Sequence, residues 1–165
     1  IWYAASDYPR LKLPGGHEEI VKSALNIKGK MTFGSFVWDE ARIPKSGAMW
    51  VRVDLAHQIL SVFRGGHEIG SAVILYGTDG KPTPTGDFTV LQKSADYHSH
   101  AYDAAMPYML RLTDDGVAIH GSNVREGYAT HGCVGVPPEF AKKLFAVMAK
   151  GDPAFIVPQP QAKQG

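Results

Sequence analysis

WVRVDLAHQILSVFRGGHEIGSAVIL, residues 50–75, decides the fold class. Val51, Val53 and Leu55 alternate with Arg52 and Asp54, the period of two expected of a strand with one buried face. Ile59 to Arg64 then meets His67 to Leu75 across Gly65-Gly66. Two glycines between strand-like runs predict a tight hairpin, because the centre of such a turn needs positive φ. A second hairpin is predicted where Tyr108 to Thr113 and Val117 to His120 flank Asp114-Asp115-Gly116, so that the return strand ends at His120. Thr83-Pro84-Thr85-Gly86 is turn chemistry leading into a strand from Asp87 to Gln92.

Outward from this β-rich centre the pattern changes. Pro137 and Pro138 suit the first turn of a helix whose Phe140, Leu144, Val147 and Met148 share one face before Gly151 stops it. Gly151-Asp152-Pro153 turns the chain into a last strand, Ala154 to Val157. Residues 1–48 read as an irregular lead-in packing on the domain, with a short helix from Glu18 to Leu25 that puts Ile20, Val21, Ala24 and Leu25 on one face. Residues 93–107 show no clean period and read as a polar, aromatic surface loop of the kind that covers a site. The Gln/Pro/Ala tail, 159–165, reads as disordered. The fold expected is mainly β, in the α+β class. It is a sandwich or barrel-like sheet with one main C-terminal helix and a short N-terminal helix.

A chain of 165 residues that is 44% hydrophobic can bury one core, here assigned to residues 49–158. The 17 Lys and Arg against 16 Asp and Glu leave a formal charge of +1, without the basic field that nucleic-acid binding requires. No apolar run approaches the roughly 18 residues of a membrane span, and no transmembrane segment is expected. The single cysteine, Cys133, excludes an internal disulfide and any multi-cysteine zinc site.

The chemistry concentrates in Ile119-His120-Gly121-Ser122 and, after a polar spacer, His131-Gly132-Cys133-Val134-Gly135-Val136. A thiol with an ordinary pKa of about 8.5 is mostly protonated at neutral pH and needs a base or a positive charge to act as a nucleophile. His131 lies two positions before Cys133, on the same face of an extended chain; His120 reaches it only if the spacer folds back. Residue pattern alone leaves both open as the base. Gly132, lacking Cβ, lets a substrate carbonyl approach the backbone, whose N–H groups can form an oxyanion hole. A buried inert thiol is the bland alternative. A zinc site of His120, His131, Cys133 and His98 or His100 is another, although the spacing matches no zinc signature. Ser122 is not in a G-x-S-x-G elbow.

His120-Gly121, a spacer, and then Thr130-His131-Gly132-Cys133 resemble the signature of the L,D-transpeptidase catalytic domain, or YkuD, family. Trp50 to Leu55, Thr83 to Phe88 and Met106 to Met109 resemble further family landmarks in family order, over about residues 49–157. The resemblance implies an exported enzyme of the bacterial periplasm or cell envelope, without cofactor or metal, acting as a monomer. It implies that Cys133 attacks the peptide stem of peptidoglycan between its third residue, of meso-diaminopimelate type, and a terminal D-alanine. His120 would take the thiol proton, His131 and Gly132 would shape the turn and the oxyanion hole, and Thr130 would orient the loop. An amine of a neighbouring stem would complete a 3→3 cross-link, whereas water would make the protein an L,D-carboxypeptidase. A peptidoglycan-binding domain without activity is the alternative from another class. Carbapenem-type β-lactams are the expected inhibitors. Gly121, Ser122, Tyr108, Tyr102 and His98 are the remaining candidates for contact with the stem. The chain departs from the family at Gly135, where Arg or Asn is usual, and in its short spacer.

Overall fold

The computed structural model describes residues 1–77, 80–100, 104–125 and 129–158. Its elements in chain order are β1 (Arg10–Lys12), β2 (Glu18–Ile20), β3 (Phe36–Trp38), β4 (Met49–Asp54), β5 (Ile59–Arg64), β6 (His67–Val73), β7 (Gly86–Thr89), β8 (Gln92–Ser99), β9 (Ala104–Arg111), β10 (Ala118–Gly121), β11 (Val134–Val136), α1 (Pro138–Val147) and β12 (Pro153–Val157). They form a six-stranded sheet of order β3-β6-β5-β4-β12-β7, a four-stranded sheet of order β11-β10-β9-β8 and a separate β1-β2 pair. The fold is therefore mainly β with one main helix, as the alternation in residues 50–75 predicts. Gly65 and Gly66 take φ of 58° and 86° at the β5–β6 turn, and Gly116 takes 99° at the turn before β10. These are the left-handed conformations that the two glycine-bearing turns require.

The core lies between the two sheets. Val51, Val53, Leu60, Val62, Ile69 and Ile156 of the large sheet meet Leu110, Ile119, Val134 and Val136 of the small one, and Phe140, Ala141, Leu144 and Met148 close it from the helix side. Burying a side chain of the size of Leu144 stabilises the fold by about 1.5–3 kcal/mol, so this apolar stripe rather than capping holds α1 in place. At its other end Lys93 Nζ donates to the Phe145 carbonyl at 2.7 Å and lies 4.3 Å from the Phe145 ring centroid, a cation at the helix C-terminus where the dipole favours one. The outer face of the large sheet is covered too: Trp50 stacks on Phe63 at 4.1 Å, and Phe155, Leu13 and Val21 complete a second cluster.

Two expectations are corrected. Glu18 to Leu25 is not helical, and the helical turn near the N-terminus is instead a 3-10 turn at Ala5–Asp7. Glu18–Ile20 instead pairs antiparallel with Arg10–Lys12, which leaves Ile20 exposed and Val21 buried in the cluster with Trp50. The Val21 N–H donates to Pro9 O and the Lys22 N–H to Gly66 O, so tertiary partners override the apparent helical spacing. Likewise the described part of residues 93–107 is mostly strand rather than a surface loop. Strands β8 and β9 pair from Gln92↔Arg111 to Ser99↔Ala104, and they lack a period because neither face of their outer half is fully buried. Strand β3, in the lead-in, extends the large sheet by pairing Phe36–Trp38 with Gly70–Ala72. Tyr102 and the tail 159–165 lie outside the described residues. No helix among the described residues is long and apolar enough to cross a membrane.

Candidate active site

Strand β10 carries His120 and strand β11 follows Cys133 directly, and the two pair in parallel with His120 opposite Gly135. A parallel neighbour needs a long return connection, which the spacer supplies. The other edge of β11 is also bonded: Gly135 and Leu75 exchange backbone hydrogen bonds of 2.8 and 2.9 Å, so β11 joins the small sheet to the segment leaving β6 of the large one. The segment before it is fixed by Thr130. Its N–H donates to Tyr76 O at 3.1 Å, its hydroxyl donates to the Cys133 carbonyl in a short hydrogen bond, and the same oxygen accepts from the Gly132 N–H at 3.3 Å. Gly132 makes this turn with φ of 111°, a region that other residues adopt only under strain. The Cys133 backbone N–H donates to no acceptor among the described residues.

The imidazole of His120 is 8% exposed. Its Nδ1 lies 2.8 Å from the Gly121 carbonyl. A carbonyl can only accept, so Nδ1 carries the hydrogen and the neutral ring is left with a lone pair on Nε2. Burial holds the pKa of His120 below the ordinary histidine value, and the hydrogen bond to Gly121 opposes this only in part. Burial pushes the Cys133 thiol up, the Ala118 backbone N–H lowers it, and the Asp115 carboxylate raises it again. The thiol itself donates to the Gly116 carbonyl at 3.7 Å. Both shifts favour uncharged partners: a thiol and a neutral imidazole rather than a thiolate–imidazolium pair.

Cys133 opens onto two cavities. The first, about 170 Å³, is lined by Cys133, His120, Ser122, Thr130 and His131 together with Ser99 and Met106. The second, about 310 Å³, runs from Cys133, Gly132 and His131 to Asp115, Gly116 and Lys81. Its Gly80–Pro84 wall is held by Thr83, whose buried hydroxyl accepts from the Gly77 N–H at 2.8 Å, which gives the Thr-Pro-Thr-Gly run a place beside the site. Gly121 packs closely on Pro107 and Ala141, where a Cβ would come within 3.4 Å of both side chains, and contributes its carbonyl rather than a surface.

Not every candidate residue is brought here. Tyr108 takes φ of 56° and turns its ring onto the helix, 5.6 Å from Phe145, so it is not part of either cavity wall. His98 sits on the exposed part of β8 near His100, and its neighbour Ser99 reaches the cavity instead. Ser99 and Lys81 carry no motif, while Met106 belongs to a family landmark and Asp115 to the predicted hairpin turn without either being marked as a site residue; the fold brings all four to the cavities beside the thiol. Among the described residues, no three His, Cys, Asp or Glu side chains are grouped to hold a metal ion.

Gly135 has a local reason. A Cβ there would lie 2.9 Å from Ser122 Cβ and 3.3 Å from its hydroxyl oxygen, so Ser122 occupies the space into which a side chain at 135 would grow. The polar group beside the thiol therefore comes from the end of β10 rather than from β11.

A β-rich fold that directs its one thiol and a buried, hydrogen-bonded imidazole into a common cavity defines a Cys–His site. The family model of the L,D-transpeptidase catalytic domain, YkuD, matches residues 48–156, and the chain belongs to that family. L,D-transpeptidase 1 of Mycobacterium tuberculosis is 28% identical, with the match covering 59% of this chain and 45% of that protein. The crystal structure of an L,D-transpeptidase from Stackebrandtia nassauensis superposes with a TM-score of 0.64 at 27% identity, covering 74% of this chain and 59% of that one. An L,D-transpeptidase solved in complex with imipenem shares the fold, with a TM-score of 0.63 at 22% identity over 67% of this chain and 59% of its own. The chain thus spans less than half the length of the curated relative it matches.

Proposed function

We propose that the protein is an L,D-transpeptidase acting through Cys133 on peptidoglycan tetrapeptide stems. The observation that carries this reading is the single thiol sharing a cavity with a buried His120 whose Nδ1–H is committed to the Gly121 carbonyl. Nε2 of His120 takes the thiol proton as Sγ attacks the carbonyl carbon of the stem's third residue. The oxyanion of the tetrahedral intermediate accepts a hydrogen bond from the Cys133 N–H. Collapse breaks the C–N bond, His120 returns the proton to the departing amine, and D-alanine leaves a thioester on Cys133. A side-chain amine of a second stem then attacks the thioester and gives its proton through His120 to the sulfur, producing the 3→3 link. Thr130 and Gly132 hold the cysteine turn, and Ser122 supplies a hydroxyl to the stem.

Residues 49–158 are the catalytic domain in this reading, with residues 1–48 packed on it. The substrate implies an exported protein of a bacterial cell envelope. Carbapenem-type β-lactams, strained acyl donors of the kind bound by the imipenem-complexed relative, are expected to acylate Cys133.

Mass spectrometry after incubation with purified disaccharide-tetrapeptides tests the proposal. A cross-linked dimer lacking one D-alanine, made by the unmutated protein and not by Cys133→Ala, supports it. Tripeptide alone makes the protein an L,D-carboxypeptidase. Absence of both products from folded protein leaves a peptidoglycan-binding role.

A further inference from the structure

Cys133 separates two cavities of different character. The His120 side is lined by uncharged groups such as Ser99, Met106, Ser122 and Thr130. The other side carries one residue of each charge, Lys81 and Asp115. Asp115 is held by the Thr113 hydroxyl, which donates to its Oδ1, and lines the same cavity as the thiol. Neither Lys81 nor Asp115 makes an ion pair with another side chain among the described residues.

Acyl transfer assigns the two sides. Both the departing and the incoming amine exchange a proton with His120, so both need the His120 cavity. The acyl part of the donor is then left to the opposite face of the thiol. We propose that the Lys81–Asp115 cavity is an acyl-side subsite that reads a side chain ending in an amino-acid zwitterion, with Asp115 taking the ammonium and Lys81 the carboxylate. Within the transpeptidase reading, on which this rests, the occupant is the side chain of the stem's third residue. Diaminopimelate ends in such a zwitterion, whereas lysine offers the ammonium alone. Lys81 is therefore the residue that tells the two apart, and Asp115 is needed by both.

The test separates binding from turnover. Calorimetry with the Cys133→Ala protein and soluble tetrapeptides carrying either diaminopimelate or lysine at position three measures the subsite without chemistry. The diaminopimelate stem is expected to bind about three- to tenfold more tightly, the range for a partly solvated charged contact. Adding Lys81→Met should abolish that preference while leaving the lysine stem unaffected, and Asp115→Asn should weaken both by a similar factor. Equal affinity of the two stems, a loss on Lys81→Met that is the same for both, or no binding of either stem overturns the proposal. If stems bind with this charge dependence but the unmutated protein transfers no acyl group, the subsite stands and the transpeptidase reading falls.

Discussion

The protonation state of the Cys133–His120 pair yields the sharpest prediction, because burial acts on both partners to favour their uncharged forms. Burial raises the thiol above the ordinary thiol range and lowers the imidazole below the ordinary histidine range. The neutral thiol–imidazole pair is therefore favoured over the ion pair, and the thiolate is the minor form at neutral pH. Alkylation of the only cysteine by iodoacetamide, followed by intact mass from pH 5 to 10, reads the thiolate directly. The rate should climb in one step on the alkaline side, with its midpoint above the ordinary thiol range and no plateau at lower pH. His120→Ala should leave alkylation at pH 7 within a few-fold, while β-lactam acylation or stem turnover, which needs the base, falls by about 10²–10⁴. An alkylation plateau extending to pH 5–6, abolished by His120→Ala, would refute the neutral pair and the reasoning from burial behind it.

Three further outcomes are expected. Gly135→Asn should lower stability by about 1–3 kcal/mol in thermal or urea denaturation, because its Cβ meets Ser122, and Ser122→Gly should recover most of that loss in the double mutant although it gains nothing alone. Thr130→Val removes the bond to the Cys133 carbonyl and the acceptor for Gly132 N–H, so kcat should fall by at least tenfold with KM little changed, and Thr130→Ser should restore it. The buried His120 and the half-buried carboxylate of Glu68 give opposite pH dependences. His120 has a folded pKa below its unfolded one, so its contribution is complete above about pH 6.5 and is lost as the pH falls and the unfolded state binds the extra proton. Glu68, raised mainly by burial, costs stability once pH rises through its folded pKa. Glu68→Gln should therefore raise the melting temperature at pH 8 and lose that advantage at pH 4, and equal effects at both pH values would contradict the assignment.

Sequence legibility follows how local the determining contacts are. Strand β4 is readable because Val51 and Val53 enter the core while Arg52 and Asp54 do not, and β5 and β6 because Gly65-Gly66 between two apolar runs fits few other turns. Strand β3 is not, since three residues pairing with β6 leave too short a pattern. Around Val21 the spacing of apolar residues suits a helix, and only the Trp50–Phe63–Phe155 surface, more than twenty residues away in sequence, decides otherwise. At the site, Cys133 and His120 were legible as chemistry, but the choice of His120 over His131 rested on family resemblance. What brings His120 beside the cysteine turn is the parallel register of β10 on β11, which no local pattern encodes. The diversion of Tyr108 toward Phe145 depends on one backbone angle, and the arrival of Asp115 beside the thiol depends on where a hairpin turn falls.

Strand β11 is three residues long, yet both of its edges are bonded, one to the small sheet and one to Leu75 where the chain leaves the large sheet. The turn that carries the sulfur thus runs straight into the seam between two layers, which limits how far it can drift independently. Sliding one sheet over the other would break the seam and displace the sulfur from Nε2 in the same movement. Loss of acylation on heating should accordingly track separation of the layers, not precede it, making Cys133 reactivity a built-in gauge of whether the two halves of the core remain docked.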